Sequence, residues 1–117
     1  MQVLKVSKGH LDKITHHVNK NKVFLYVKST CPYCKGAKRL LEGGEVQYKE
    51  YAIDVEKNGD LVKSALIVLT GQRTVPNIFI NGEHIGGFDN LKERYDSGEL
   101  IKMLNDANVS HNFKDIL

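Results

Sequence analysis

The sequence predicts an α/β domain in which a four-stranded mixed sheet carries helices on both faces. Three observations lead there. Val23-Phe24-Leu25-Tyr26-Val27 is an uninterrupted β-branched and aromatic run, the pattern of a strand covered on both sides. A segment of helical period separates it from a second strand-like run, which makes a right-handed βαβ unit with parallel strands. Asn77 to Ile80 and Glu83 to Ile85 flank Asn81-Gly82, the pair most strongly tied to a two-residue antiparallel hairpin.

Each element has its own signal. Leu11, Ile14 and Val18 recur at helical spacing behind Ser7, a capping residue, and Asn19 to Asn21 is a polar stop. After the first strand, Ser29, Thr30 and Cys31 lead to Pro32, at the first helical position, where a missing N–H costs nothing. Ala37, Leu40 and Leu41 form the apolar stripe of that helix, Lys35, Lys38 and Arg39 its wetter side, and Gly43-Gly44 its end. Val46 to Ile53 has the residues of a second strand. Leu61, Ala65 and Leu69, with Val62 and Leu66 beside them, predict a helix from Asp60 to Thr70 that stops at Gly71. Gly86-Gly87 closes the hairpin. Leu91 and Tyr95, then Leu100, Ile101 and Leu104, predict one or two closing helices broken near Gly98. The domain is expected over residues 1–107; residues 108–117 have no clear period and are expected to be a loosely held tail. His84 is read as an ordinary surface residue.

A chain of 117 residues with 41% apolar and 26% charged residues is one ordinary domain. Its formal charge of +3 comes from lysines scattered among acids, not from a basic stripe, so nucleic acid is not an expected partner. A mild positive field does suit a small anionic substrate. Met1 to Ile14 is polar and interrupted by Lys5, Lys8 and Asp12, unlike the apolar centre of a secretory signal, and no apolar run is long enough to span a bilayer. The expected location is the cytoplasm, with no membrane partner.

Cys31-Pro32-Tyr33-Cys34 holds both cysteines of the chain. In a reducing compartment such a pair is catalytic or metal-binding more often than structural, and a two-residue loop would constrain the unfolded chain very little. A zinc site needs about four ligands, and neither a second CxxC nor a His-x3-His pair is present. Chance spacing is the remaining alternative, and the proline at the helix start and the strand before it argue against it. The thiolate is the attacking species in disulfide exchange, so a catalytic cysteine must be made acidic. Cys31, at a helix N-terminus, faces unpaired backbone N–H groups and the positive end of the helix dipole, and Lys28 adds a formal charge. Cys34, one turn inside, should be buried and less acidic. Cys31 is therefore the expected nucleophile and Cys34 the resolving thiol.

Three segments resemble the glutaredoxins of the dithiol class, within the thioredoxin-like fold. Lys28-Ser29-Thr30-Cys31-Pro32-Tyr33-Cys34 is similar to that family's active-site segment, Thr70 through Ile80 to its second signature, and Ile85-Gly86-Gly87 to its third. The resemblance covers about Val6 to Ala107. It implies a cis Val75-Pro76 peptide facing the cysteines, and a site for glutathione as co-substrate with no bound cofactor or metal. On that basis Lys28 and Arg73 would meet the glycine carboxylate, Tyr33 would flank the thiol groove, and Thr74, Val75 and Pro76 would form the segment that pairs with the cysteinyl backbone. The γ-glutamyl carboxylate would lie on the helix opened by Gly87, with Asp89 or Asn90 holding the ammonium. Lys63 would be a further carboxylate contact, although the family usually has glutamine or arginine there and a lysine lacks the arginine fork. Phe88, at a position often small or polar, is read as a groove wall.

The resemblance further implies reduction of glutathionylated and disulfide-bonded proteins by a monomer, with glutathione reductase acting indirectly through glutathione, at family potentials of roughly −200 to −230 mV. The alternative is a dimer holding an iron-sulfur cluster through Cys31 and glutathione; Pro32 weighs against it, since cluster-binding relatives often carry a small residue there. A thioredoxin-like reductase is disfavoured by the absence of tryptophan.

Overall fold

The computed structural model describes residues 6–114. Within them the order is α1 (Lys8–Lys20), β1 (Val23–Val27), α2 (Pro32–Gly43), β2 (Lys49–Ala52), α3 (Gly59–Thr70), β3 (Asn77–Ile80), β4 (Glu83–Gly86), α4 (Phe88–Asp96) and α5 (Glu99–Asp106). The strands form one sheet in the order β2-β1-β3-β4, with β2 parallel to β1 and the β1–β3 and β3–β4 pairs antiparallel. This is the mixed sheet that the sequence predicts, and both closing helices form, separated by Gly98.

All five residues of β1 are buried because its alternate side chains serve two cores. Val23, Leu25 and Val27 pack with Ala37 and Leu41 of α2, Leu91 of α4, and Leu100 and Leu104 of α5. Phe24 and Tyr26 pack on the opposite face with Ile14 and Val18 of α1 and Val62, Ala65 and Leu66 of α3. The first two helices start where a short side chain caps them: the Ser7 hydroxyl accepts from His10 N–H at 3.2 Å, and the Cys31 sulfur caps α2. The hairpin turn has the expected residues, with Asn81 and Gly82 both at positive φ, 51° and 79°.

Three details differ from the sequence reading. The second strand is confined to Lys49–Ala52, because Val46 N–H is bonded to Leu41 C=O at 3.0 Å and finishes α2 before the sheet is reached. The described part of the tail, residues 108–114, is held and not loose: Val109 and Phe113 pack against the core, Asn112 N–H donates to Gly44 C=O at 2.8 Å, and the Phe113 ring lies on the Cα of Gly44. Finally, His84 is half-buried, its Nε2 2.7 Å from Asn77 Oδ1 and its ring 5.2 Å from that of Phe79. Asn77 is buried, so its polar side chain needs such partners, and that draws the imidazole inward.

The topology sets the site. The C-terminal ends of β1, β2 and β4 and the start of β3 lie along one edge of the sheet, so the β1–α2, β2–α3, α3–β3 and β4–α4 connections converge there. Among the described residues no helix is long and apolar enough to cross a membrane.

Candidate active site

Cys31 has extended backbone (φ −87°, ψ 117°) and caps α2 with its sulfur, which accepts from Cys34 N–H at 3.3 Å. A short side chain in the N-cap position turns back over the first helical turn, and here it carries sulfur where serine or aspartate would carry oxygen. Both cysteines are free thiols. Cys31 is partly exposed, and Cys34 is buried. Burial first, and then the hydrogen bond to Cys31, pushes the Cys34 thiol well above its ordinary value. The expected contrast in exposure between the two is present.

The loop that delivers Cys31 is tied to the end of β2. Asp54 accepts from Ser29 N–H at 3.0 and 3.2 Å and from the Ser29 hydroxyl at 2.5 Å. Those bonds, the hydroxyl foremost, hold the Asp54 carboxyl below the usual range, with the charge of Lys28 adding to them.

The α3–β3 loop faces the thiol. Its Val75-Pro76 peptide is cis, as expected, and Cys31 Sγ stands 3.6 Å from Val75 C=O. Gln72 Nε2 donates to Thr74 C=O and to Pro76 C=O, both at 2.9 Å. Thr70 Oγ1 anchors the base of the loop: it donates to Leu66 C=O and accepts from Gln72 N–H and Asn77 Nδ2.

On the remaining side, Gly86 has φ +116°, and a Cβ there would stand 2.4 Å from Asn90 Oδ1. Asn90 Oδ1 accepts from Gly87 N–H at 3.0 Å, closing the first turn of α4. Tyr33 is 64% exposed, with its ring 6.3 Å from that of Phe88, and Phe88 lies against Gly36, which has no side chain to displace it.

Tyr33, Thr74, Val75, Pro76, Gly87, Asp89 and Asn90 line one groove of about 520 Å³ together with Gln72 and Phe88. The three basic residues predicted for the site are not in its wall. Lys28 and Arg73 are exposed and Lys63 is half-buried on α3. Sequence reasoning missed Gln72, Asp54 and the Thr70–Asn77–His84 network. Gln72 had a signal, its place four residues before Pro76, and Asp54 had one in being the first acid after a strand that ends at the site. Among the described residues no group of three or more His, Cys, Asp or Glu side chains is arranged to hold a metal ion.

The glutaredoxin family model matches residues 23–85, which contain the thiols, the Val75-Pro76 loop and the hairpin. The chain belongs to the glutaredoxin family. A glutaredoxin of Ricinus communis is 40% identical over 97 residues, 83% of this chain and 95% of that one. Glutaredoxin-C2 of Arabidopsis thaliana is 39% identical over 83% of this chain and 87% of its own length. Among solved structures, a buckwheat glutaredoxin–glutathione complex superposes with a TM-score of 0.86 at 39% identity, over 88% of this chain and 94% of the other. A glutaredoxin is a thiol oxidoreductase, and Cys31 and Cys34, adjoining at the start of α2, are the thiols this one has.

Proposed function

We propose that this glutaredoxin is a glutathione-dependent thiol-disulfide oxidoreductase that reduces protein–glutathione mixed disulfides and protein disulfides, with Cys31 as nucleophile and Cys34 as resolving thiol. One observation carries the reading: Cys31 Sγ lies between the N-terminus of α2 and Val75 C=O, at the side of a groove of tripeptide size. The bound glutathione of the buckwheat relative supports the same ligand class.

In the first step the Cys31 thiolate attacks the glutathionyl sulfur of the substrate. The substrate S–S bond breaks, its protein sulfur leaves as a thiolate that takes a proton from water, and a Cys31–glutathione disulfide forms. A second glutathione thiolate attacks that disulfide, leaving as glutathione disulfide and restoring Cys31. For a protein disulfide, Cys31 forms the mixed disulfide with the target; Cys34, losing its proton, then displaces the target thiolate, and two glutathiones reduce the resulting Cys31–Cys34 bond. Cys34 N–H and the other first-turn amides of α2 stabilise the sulfur anion that reappears at Cys31 in each cycle.

Val75 offers its N–H and C=O to the cysteinyl backbone of glutathione, as a strand edge does. Asp89, exposed on the groove wall, takes the γ-glutamyl ammonium, Asn90 being engaged as the cap of α4. Lys28, Arg73 and Lys63 reach the glycine carboxylate by swinging in from outside the wall. The cytoplasm is the compartment for this work, since a glutathione pool near the family potential lets exchange run either way.

The test is NADPH oxidation with glutathione, glutathione reductase and a small glutathione mixed disulfide, beside a second assay with thioredoxin reductase in place of glutathione and its reductase. Turnover in the first and none in the second is expected. Equal turnover in both, or none in the first, overturns the reading.

A further inference from the structure

Among the described residues, Gln72 is the one side chain that bonds the loop segment facing Cys31 on both sides of Val75. Its amide nitrogen donates to Thr74 C=O and to Pro76 C=O at 2.9 Å each, while the carbonyl between them, on Val75, meets Cys31 Sγ at 3.6 Å. The chemistry sets the orientation of the amide: two carbonyl acceptors can be satisfied only by the two hydrogens of the NH2 group. Gln72 is itself held from below. Its N–H donates to Thr70 Oγ1 at 3.1 Å, the same oxygen that receives Asn77 Nδ2 at 3.2 Å from the far end of the loop. Asn77 is fixed in turn by His84 at 2.7 Å. A bonded path thus runs from the hairpin to the peptide beside the nucleophile. Gly87, across the groove, leaves the space next to Gln72 Nε2 and Pro76 C=O open.

We propose that Gln72 is a positioning residue, whose amide turns the Thr74 and Pro76 carbonyls away from substrate and so holds the Val75 peptide in the orientation that pairs with the glutathionyl backbone. This rests on the function proposed above. Pairing of Val75 with substrate persists through the exchange step, so loss of its alignment weakens capture of the mixed disulfide and leaves the intrinsic reactivity of Cys31 alone.

The experiment uses Gln72→Met, which keeps length and apolar packing and removes both donors, and Gln72→Glu, which keeps shape and replaces donors by acceptors. In Gln72→Met, kcat/KM for a small glutathione mixed disulfide should fall about tenfold, as expected for two lost neutral hydrogen bonds. Iodoacetamide alkylation of Cys31, which needs no peptide pairing, should stay within about twofold, and Gln72→Glu should lose more turnover than Gln72→Met. The NMR carbonyl and amide shifts of Thr74, Val75 and Pro76 should move in both variants. Unchanged kcat/KM, or alkylation slowed in parallel with turnover, overturns the proposal; should Gln72→Met not fold, Gln72→Glu is read by the same criteria. If the unaltered protein shows no glutathione-coupled turnover, the function fails, and the loop shifts still decide whether Gln72 orders Val75: shifts that stay put overturn that too.

Discussion

Two sulfurs one helical turn apart have different surroundings, one capping the helix and partly exposed, the other buried, and the roles proposed for them rest on that difference. Cys31→Ser should abolish turnover of mixed disulfides and of protein disulfides alike, since an alcohol at the same cap does not ionise. Cys34→Ser should keep deglutathionylation within about threefold and lose at least tenfold in reduction of a protein disulfide, which needs the second thiol to release the target. Separate assays on a glutathionylated peptide and on an insulin-type disulfide check this; full activity of Cys31→Ser in either removes the assignment. The role of Asp54 is local as well. By fixing Ser29 it sets where the chain leaves β1, and hence where Cys31 begins α2.

Segments distant in the chain or in different elements meet tightly at two glycines, Gly59 and Gly44. At the start of α3, Gly59 lies against the end of β2 so closely that a Cβ would stand 1.9 Å from Ile53 C=O. Gly59→Ala forces the two apart and should cost about 1–3 kcal/mol, read as a lower urea midpoint at an unchanged m-value. At the far end of α2 the Phe113 ring rests on Gly44 and lies 5.3 Å from the Tyr95 ring. Phe113→Ala should cost about 1–2 kcal/mol, less than for a fully buried ring because Phe113 keeps part of its surface in water, and should lower Tm by several degrees. An unchanged Tm would mean the tail contributes nothing. These contacts also mark what could be read in the chain. β1 was legible because five apolar residues in a row admit few other readings, and α2 because Pro32 marks a first helical position and Ala37, Leu40 and Leu41 form an apolar stripe. The docking of Phe113 depends on a glycine 69 positions earlier in the sequence, which no local period reports. His84 alternates like a surface residue and is drawn in by Asn77 and Phe79, partners on the neighbouring strand. Within the site, the thiols and the Val75-Pro76 loop were legible as contiguous motifs, while the directions taken by Lys28, Lys63 and Arg73 were not, since long charged side chains follow water and not register.

Across the domain, stability should depend on pH through histidines enclosed as neutral rings. His17 stacks on Phe24 at 4.9 Å and bonds the Tyr26 hydroxyl at 3.0 Å, and burial, with the nearby charges of Lys13 and His16, lowers its pKa below 6.5. Burial lowers His84 in the same direction. The unfolded chain then binds more protons than the folded one near and below pH 6.5, so stability is full above that value and is lost as pH falls toward the folded-state values. Asp54, lowered from 3.8, adds a further loss only in stronger acid. Urea melts should show a lower midpoint at pH 5 than at pH 7.5, and His17→Phe should flatten part of that slope; equal midpoints would contradict the account. The strapping of the tail across Gly44 has a practical consequence. The thiol pair opens one end of α2 and Phe113 covers the other, about 18 Å away for a twelve-residue helix. A tether to a bead or electrode joined at the exposed Lys114 would leave the protein at the pole opposite its reactive sulfur, so that an immobilised sample should present Cys31 outward and keep its accessibility to large clients.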